Sequence, residues 1–313
     1  MRTAVRSLLL GCLALVASAF APAAEGERLK CVATIPDLAD IVREVGGERV
    51  EVKSIAKGPE NLHAMVIRPS HLVAVSNADA LFQVGLSLEV AYVPALVEGA
   101  RNKNVFPSAP GFVNCSIGWK AIQVPEVLTR QAGDVHPQGN PHLNLDPRGG
   151  AFLADRVLEA LSKLRPASTD YFKTRHADFV ARIDVARKRW DEIGAHFKGR
   201  KIVEYHQEYD YFLLHYGVER IGTVELRPGI PPTPNHLAHL IEVMKREKCE
   251  VLLTAPWSKN NFVDRVAEAT GAKVVVLPSS CGGVEDSETW IKMMDTVHER
   301  LAKVFGTPIP PRQ

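Results

Sequence analysis

Short apolar runs alternate with amphipathic stretches twice along this chain, and that doubled alternation confines it to the α/β class. In the first half, Leu29 to Ile35 reads as a strand, Asp37 to Gly46 as a helix and Val50 to Ile55 as a strand; Ser70 to Asn77 follows as a helix and Ala80 to Val84 as a strand. The rhythm returns with strands at Lys201 to Tyr205, Glu219 to Val224, Val251 to Ala255 and Val274 to Leu277, the last three separated by helices at Asn235 to Glu247 and Asn260 to Thr270. Strands alternating with helices predict a mostly parallel sheet in each half. Between the halves, Phe172, Phe179, Ile183, Ala186, Trp190, Ile193 and Phe197 recur at helical spacing, and no proline interrupts Ala167 to Phe197. A helix of that length would measure about 45 Å, a stiff spine along both halves. No internal repeat or low-complexity tract occurs.

The N-terminus determines the compartment. Arg2 and Arg6 precede an apolar run from Leu8 to Phe20, and Ala21-Pro22-Ala23 supplies a small-x-small cleavage pattern, so residues 1–24 read as a secretory leader. The run is too short to span a bilayer of roughly 30 Å. A lipoprotein reading rests on Leu9-Leu10-Gly11-Cys12, but it leaves few apolar residues before Cys12 and strands the rest in the mature chain. Taking Arg2 and Arg6 from the 38 basic residues leaves 36 against 36 acidic ones, a formally neutral mature chain. There is no basic stripe for nucleic acid and no charged block for a membrane surface. About 290 residues with 46% hydrophobic content can bury two cores. The expected organisation is a domain over 25–165, a spine helix over 166–198 and a second domain over 199–313.

Four cysteines follow the leader: Cys31, Cys115, Cys249 and Cys281. Their spacing fits neither a small disulfide scaffold nor a CxxC site. Cys249 precedes one C-terminal strand and Cys281 follows the next, which puts them about 15 Å apart at roughly 3.3 Å per residue if those strands are parallel neighbours. Cys31 with Cys115 is the pairing left open. Three histidines, His63, His142 and His206, each sit at a strand end or in the loop just after one. Imidazoles drawn from three distant loops suit zinc and its neighbours, held between two domains.

The segments carrying these histidines resemble a known family. Leu29-Lys30-Cys31-Val32-Ala33-Thr34-Ile35-Pro36 and Gly47-Glu48-Arg49-Val50-Glu51-Val52 are similar to its first two strands. Leu62-His63-Ala64-Met65-Val66-Ile67-Arg68-Pro69-Ser70 resembles its first ligand motif, and Asn77-Ala78-Asp79-Ala80 with Gly85-Leu86-Ser87-Leu88-Glu89 its next strand and loop. Asn140-Pro141-His142-Leu143-Asn144-Leu145-Asp146-Pro147 resembles the second ligand motif. Glu204-Tyr205-His206-Gln207-Glu208-Tyr209-Asp210-Tyr211-Phe212, ending in His215-Tyr216-Gly217, resembles the third. The family is that of the ZnuA-like periplasmic solute-binding proteins of zinc and manganese ABC importers, and the resemblance covers essentially the whole chain after the leader. It implies His63 and His142 as metal ligands from the N-terminal domain and His206 from the C-terminal one. The cargo it implies is Zn2+, with Mn2+ or another divalent transition metal as alternatives. The implied partners are a membrane permease and a cytoplasmic ATPase, served by a periplasmic monomer.

The fourth ligand is where the chain departs from that pattern. Many relatives place an aspartate just after the last strand, where this chain reads Leu277-Pro278-Ser279-Ser280-Cys281; relatives also often carry a glutamate where Thr254-Ala255-Pro256 stands. Glu60, beside the first histidine motif, or a water is expected in its place, with Cys281, Asp286 and Glu208 as further candidates. His71 should face solvent on a helix, and His236 with His239 should lie at a helix start after Pro234. His136, in Gly133-Asp134-Val135-His136-Pro137-Gln138-Gly139, resembles a remnant of the His-rich loop of some zinc importers. Two other function classes stay open. A three-histidine zinc hydrolase could use Glu204 or Glu208 as base, although no HExxH helix is present. A binding protein for an organic ligand could line its cleft with Trp257 and Tyr205.

Overall fold

A computed structural model describes residues 27–125, 136–227 and 229–312. The leader with Cys12, and Gly133, Asp134 and Val135 ahead of His136, lie outside the described residues. Among the described residues no helix is long and apolar enough to cross a membrane.

The N-terminal half runs β1 (Leu29–Ala33), α1 (Pro36–Gly46), β2 (Val50–Ser54), α2 (Pro69–Ser76), β3 (Ala80–Gln83), α3 (Val93–Ala100), β4 (Phe112–Asn114) and α4 (Gly149–Leu164). After α5 (Thr169–Gly194), the C-terminal half runs β5 (Lys201–Glu204), α6 (Asp210–Tyr216), β6 (Glu219–Thr223), α7 (Pro234–Arg246), β7 (Val251–Thr254), α8 (Asn261–Thr270), β8 (Lys273–Val276) and α9 (Trp290–Phe305). Pro36, Pro69 and Pro234 open α1, α2 and α7, where a missing N–H costs nothing and the fixed φ suits a helix. The two sheets share one topology, β2-β1-β3-β4 and β6-β5-β7-β8, with every ladder parallel. In each, the first strand is central and the chain reverses direction beside it. A crevice therefore opens beyond the carboxyl ends of β1 and β3, and another beyond β5 and β7.

The expected spine is α5, 26 residues and about 39 Å long. Its first turns meet α1: Arg175 donates to the Glu44 carbonyl at 3.0 Å, and Arg182 pairs with the Glu44 carboxylate. Its last turns meet α9. There Trp190 packs edge-on to Trp290 and donates its indole N–H to Asp295 at 2.8 Å, while Arg189 pairs with Asp295 at 2.9 Å and Glu299 at 2.6 Å. The inner faces of both sheets therefore share one apolar core, continuous from Leu38 and Val157 through Phe179, Ile183 and Trp190 to Ile202, Leu253 and Met294. Two outer clusters cover the far faces, one under α2 and α3 and one under α7 and α8. The sequence suggested two separate cores; the long helix fuses them.

Polar contacts lock the same seam. Asp37, in the first turn of α1, is fully buried and accepts from Asn144 and from the backbone N–H of Cys281, both at 3.1 Å, and from the Ser280 hydroxyl. The Trp290 backbone N–H donates to Asp40 at 2.8 Å and its indole to the Asn144 carbonyl at 2.9 Å. At Gly58, a Cβ would run into the backbone of Cys281, Gly282 and Gly283, so two loops from opposite halves meet there backbone to backbone.

One pairing left open by the sequence is closed here, and one expectation is corrected. All four cysteines are free and buried. Cys31 and Cys115 cannot pair because β3 lies between β1 and β4, which separates them by two strand spacings of about 4.8 Å, beyond disulfide reach. His71 is buried rather than solvent-facing. It occupies the third position of α2 and folds back so that Nδ1 accepts the Arg68 backbone N–H at 3.3 Å. The fused core generates a prediction. Trp190→Ala should cost about 3–5 kcal/mol, and denaturation followed by circular dichroism should give one transition for both halves; two resolved transitions in the wild type would contradict a shared core.

Candidate metal centre

Each of the three histidines is placed by a local turn. His63 lies in the β2–α2 connection, where the Asn61 side chain accepts its backbone N–H at 2.9 Å. His142 lies in the long connection from β4 to α4, its N–H accepted by the Asn140 side chain at 2.9 Å, and the turn Leu143–Leu145 follows. His206 sits two residues past β5. All three are thus on the carboxyl side of their sheets, where the strand order opens its crevices. One donor atom from each lies within 4.8 Å of the other two. Ring centroids are 5.0 Å apart for His63 and His142, 5.1 Å for His63 and His206, and 5.5 Å for His142 and His206.

Burial sets the charge of the cluster. It holds His63 and His142 well below the usual imidazole range, and the neighbouring histidines push the same way. Their Nε2 atoms stand 3.1 Å apart, close to the edge of about 3.3 Å that two imidazoles span on a tetrahedral ion at 2.0–2.1 Å. His142 Nδ1 is buried without a hydrogen-bond partner among the described residues. His206 differs. Burial opposes its charging, but the Glu225 carboxylate, bonded to Nδ1 at 2.8 Å, outweighs that and raises its pKa. The bond assigns the proton to Nδ1 and leaves the Nε2 lone pair for the cluster. Glu225 was not identified from the sequence; its only signal there is an acidic residue just past the carboxyl end of a strand.

The other candidates are distributed as follows. Glu60, expected as a fourth ligand, is not brought to the cluster, because one oxygen pairs with Arg68 at 2.7 Å and the other accepts the Lys57 N–H at 2.8 Å. Cys281 is buried in the seam beside Asp37, its thiol pKa driven far up by burial. Asp286 is exposed in a left-handed turn, and its carbonyl accepts from Thr296 at 2.6 Å. Glu208 is buried next to the site. Burial lifts its carboxyl to about 7 against the pull of His206, and Trp257 donates to it at 3.3 Å. The Trp257 ring stands edge-on to His206 at 5.6 Å and to Tyr205 at 6.0 Å. His136 stacks on His63 with centroids 5.0 Å apart, closer to the cluster than its loop position suggested. His236 caps inward from the first turn of α7 to the Thr223 carbonyl at 2.9 Å. Three nitrogen donors in a desolvated crevice, flanked by Glu208 and Glu225, form an environment suited to one divalent cation.

Comparison with known proteins identifies the family. Residues 31–304 match the family described as ZnuA, zinc-uptake complex component A periplasmic. The manganese ABC transporter substrate-binding lipoprotein PsaA of Streptococcus anginosus is 24% identical over 95% of this chain and 97% of its own length. The iron ABC transporter substrate-binding lipoprotein MtsA of Streptococcus pyogenes serotype M1 is 23% identical over 90% of this chain and 91% of its own. In fold, the crystal structure of a zinc-bound ZnuA deletion mutant superposes with a TM-score of 0.75 at 20% identity, covering 91% of this chain and all of that one. The chain belongs to the ZnuA family and is a substrate-binding protein of a metal ABC transporter.

Proposed function

We propose that this protein captures one divalent ion, zinc in preference to manganese or iron, between its two sheets and delivers it to a membrane permease driven by a cytoplasmic ATPase. The observation that carries this reading is the convergence of His63, His142 and His206, whose donor atoms lie within 4.8 Å of one another although they come from three distant loops. Nitrogen donors favour zinc over harder ions, and the affinity order alone also admits copper and nickel. The named metals of PsaA and MtsA are manganese and iron, so the zinc preference rests on this chain's own donors. Neutral imidazoles keep the loaded site's charge low, which favours release. In this reading the chain binds and releases without turnover, acts as a monomer, and works in the periplasm after loss of residues 1–24.

Three measurements test it. Titration of chelator-stripped protein should show one zinc per chain, displaced poorly by manganese. His142→Ala should weaken binding by more than about 100-fold, since losing even a ligand's hydrogen-bond partner costs 10–100-fold; no tight metal in wild type would overturn the reading. Affinity should also fall with acidity. The bound form needs a neutral imidazole, and the raised pKa of His206 lets protons compete from above the ordinary value of about 6.5. His63 and His142, held low by burial, join only at more acid pH. A flat profile from about pH 8 to about pH 5 would exclude a histidine site. Finally, the intact mass of exported protein should correspond to cleavage after Ala23 or Ala24. PsaA and MtsA are named lipoproteins, and a diacylated Cys12 would replace periplasmic release with anchoring.

A further inference from the structure

We propose that Glu208 supplies a carboxylate oxygen as the fourth ligand, completing a site of three histidines and one glutamate; this rests on the metal-capture reading above. Glu208 shares the β5–α6 connection with His206, and its backbone N–H donates to the His206 carbonyl at 2.8 Å, so both side chains rise from one tight turn. It is 2% exposed.

Buried carboxylates need donors or a cation, and several others among the described residues have them. Glu89 accepts from Thr34 and Val84 at 2.7 Å and Gly85 at 3.1 Å. Asp146 is gripped by Arg148 through two side-chain bonds. Glu204 accepts the Tyr209 N–H at 2.9 Å through one oxygen, while its other oxygen makes no hydrogen bond but pairs with the Arg220 cation at 3.3 Å, and Asp37 has its three donors in the seam. Glu208 has one long bond from Trp257 and the small hydroxyl of Ser279. The guanidinium of Arg220 pairs with Glu204 and Asp210. Glu208 thus has neither a strong donor set nor a cation, and it lies beside a cluster built for one.

Its carboxylate rests outside the group of three nitrogens, turned towards Trp257. In the proposed bound state the carboxylate turns inward about its own torsions, releasing one long bond. Glu60 would have to break an ion pair with Arg68 to compete. With Glu208 bound, each sheet contributes two ligands, and a divalent ion is neutralised by Glu208 and Glu225 together.

The test is Glu208→Gln, which preserves shape and can still accept from Trp257. Zinc affinity should fall about 10- to 100-fold, manganese affinity further because it loses its oxygen donor, and the visible spectrum of the Co2+-loaded protein should change. The metal-free variant should unfold no earlier than wild type, which separates a ligand from a structural role. Glu208→Asp, with the charge kept but the reach shortened, should fall between. Wild-type affinity and spectrum in Glu208→Gln would overturn the assignment. So would weakened binding with an unchanged Co2+ spectrum, which makes Glu208 a bystander charge. A wild-type protein that binds no metal removes both this assignment and the reading beneath it.

Discussion

One apolar seam along α5 governs the rest of the molecule. A continuous helix of 26 residues resists bending because each residue's backbone hydrogen bond ties it to the turn before. Both sheets bury their inner faces against that rod, so neither can swing far without exposing part of a core that includes Trp190, Phe179 and Leu253. The buried Asp37 and the backbone contact at Gly58 act in the same sense from the other side of the seam. The three histidines stand in loops near the carboxyl ends of strands held in this frame.

Much of this was legible from pattern alone, and the limits have physical reasons. The strands of both halves follow their apolar runs, and side-chain burial continues past the strand ends at Ile35 and Tyr205, where Tyr205 still bonds through its backbone to Leu253 and Glu225. β4 is three half-buried residues, Phe112–Asn114, too short to carry a period. α3 was passed over as well, although its apolar positions pack under the first sheet. α9 returns from the second sheet to pack on α1 and α5, a long-range choice that no local signal encodes.

The site divides along the same line. The three histidines stand in motifs that can be read locally, and the structure brings them together. What surrounds them depends on tertiary approach: Glu225 reaches His206 from the end of β6, nineteen residues away, and His136 lies against His63 across more than seventy residues. Glu60 looked suitable from its place in sequence, yet Arg68, eight residues on, holds it. His71 was misread because its position at the start of α2 turns the ring back on the backbone.

The four free cysteines have a consequence for a protein that binds a metal ion. Thiolates would rival any imidazole for zinc, so a carrier bearing accessible thiols would divide its load between the proper site and adventitious ones. Here burial raises all four pKa values, that of Cys31 to about 12, which keeps the sulfurs protonated and sealed from solvent. The fold thereby keeps all four described thiols out of reach of a metal ion in solution.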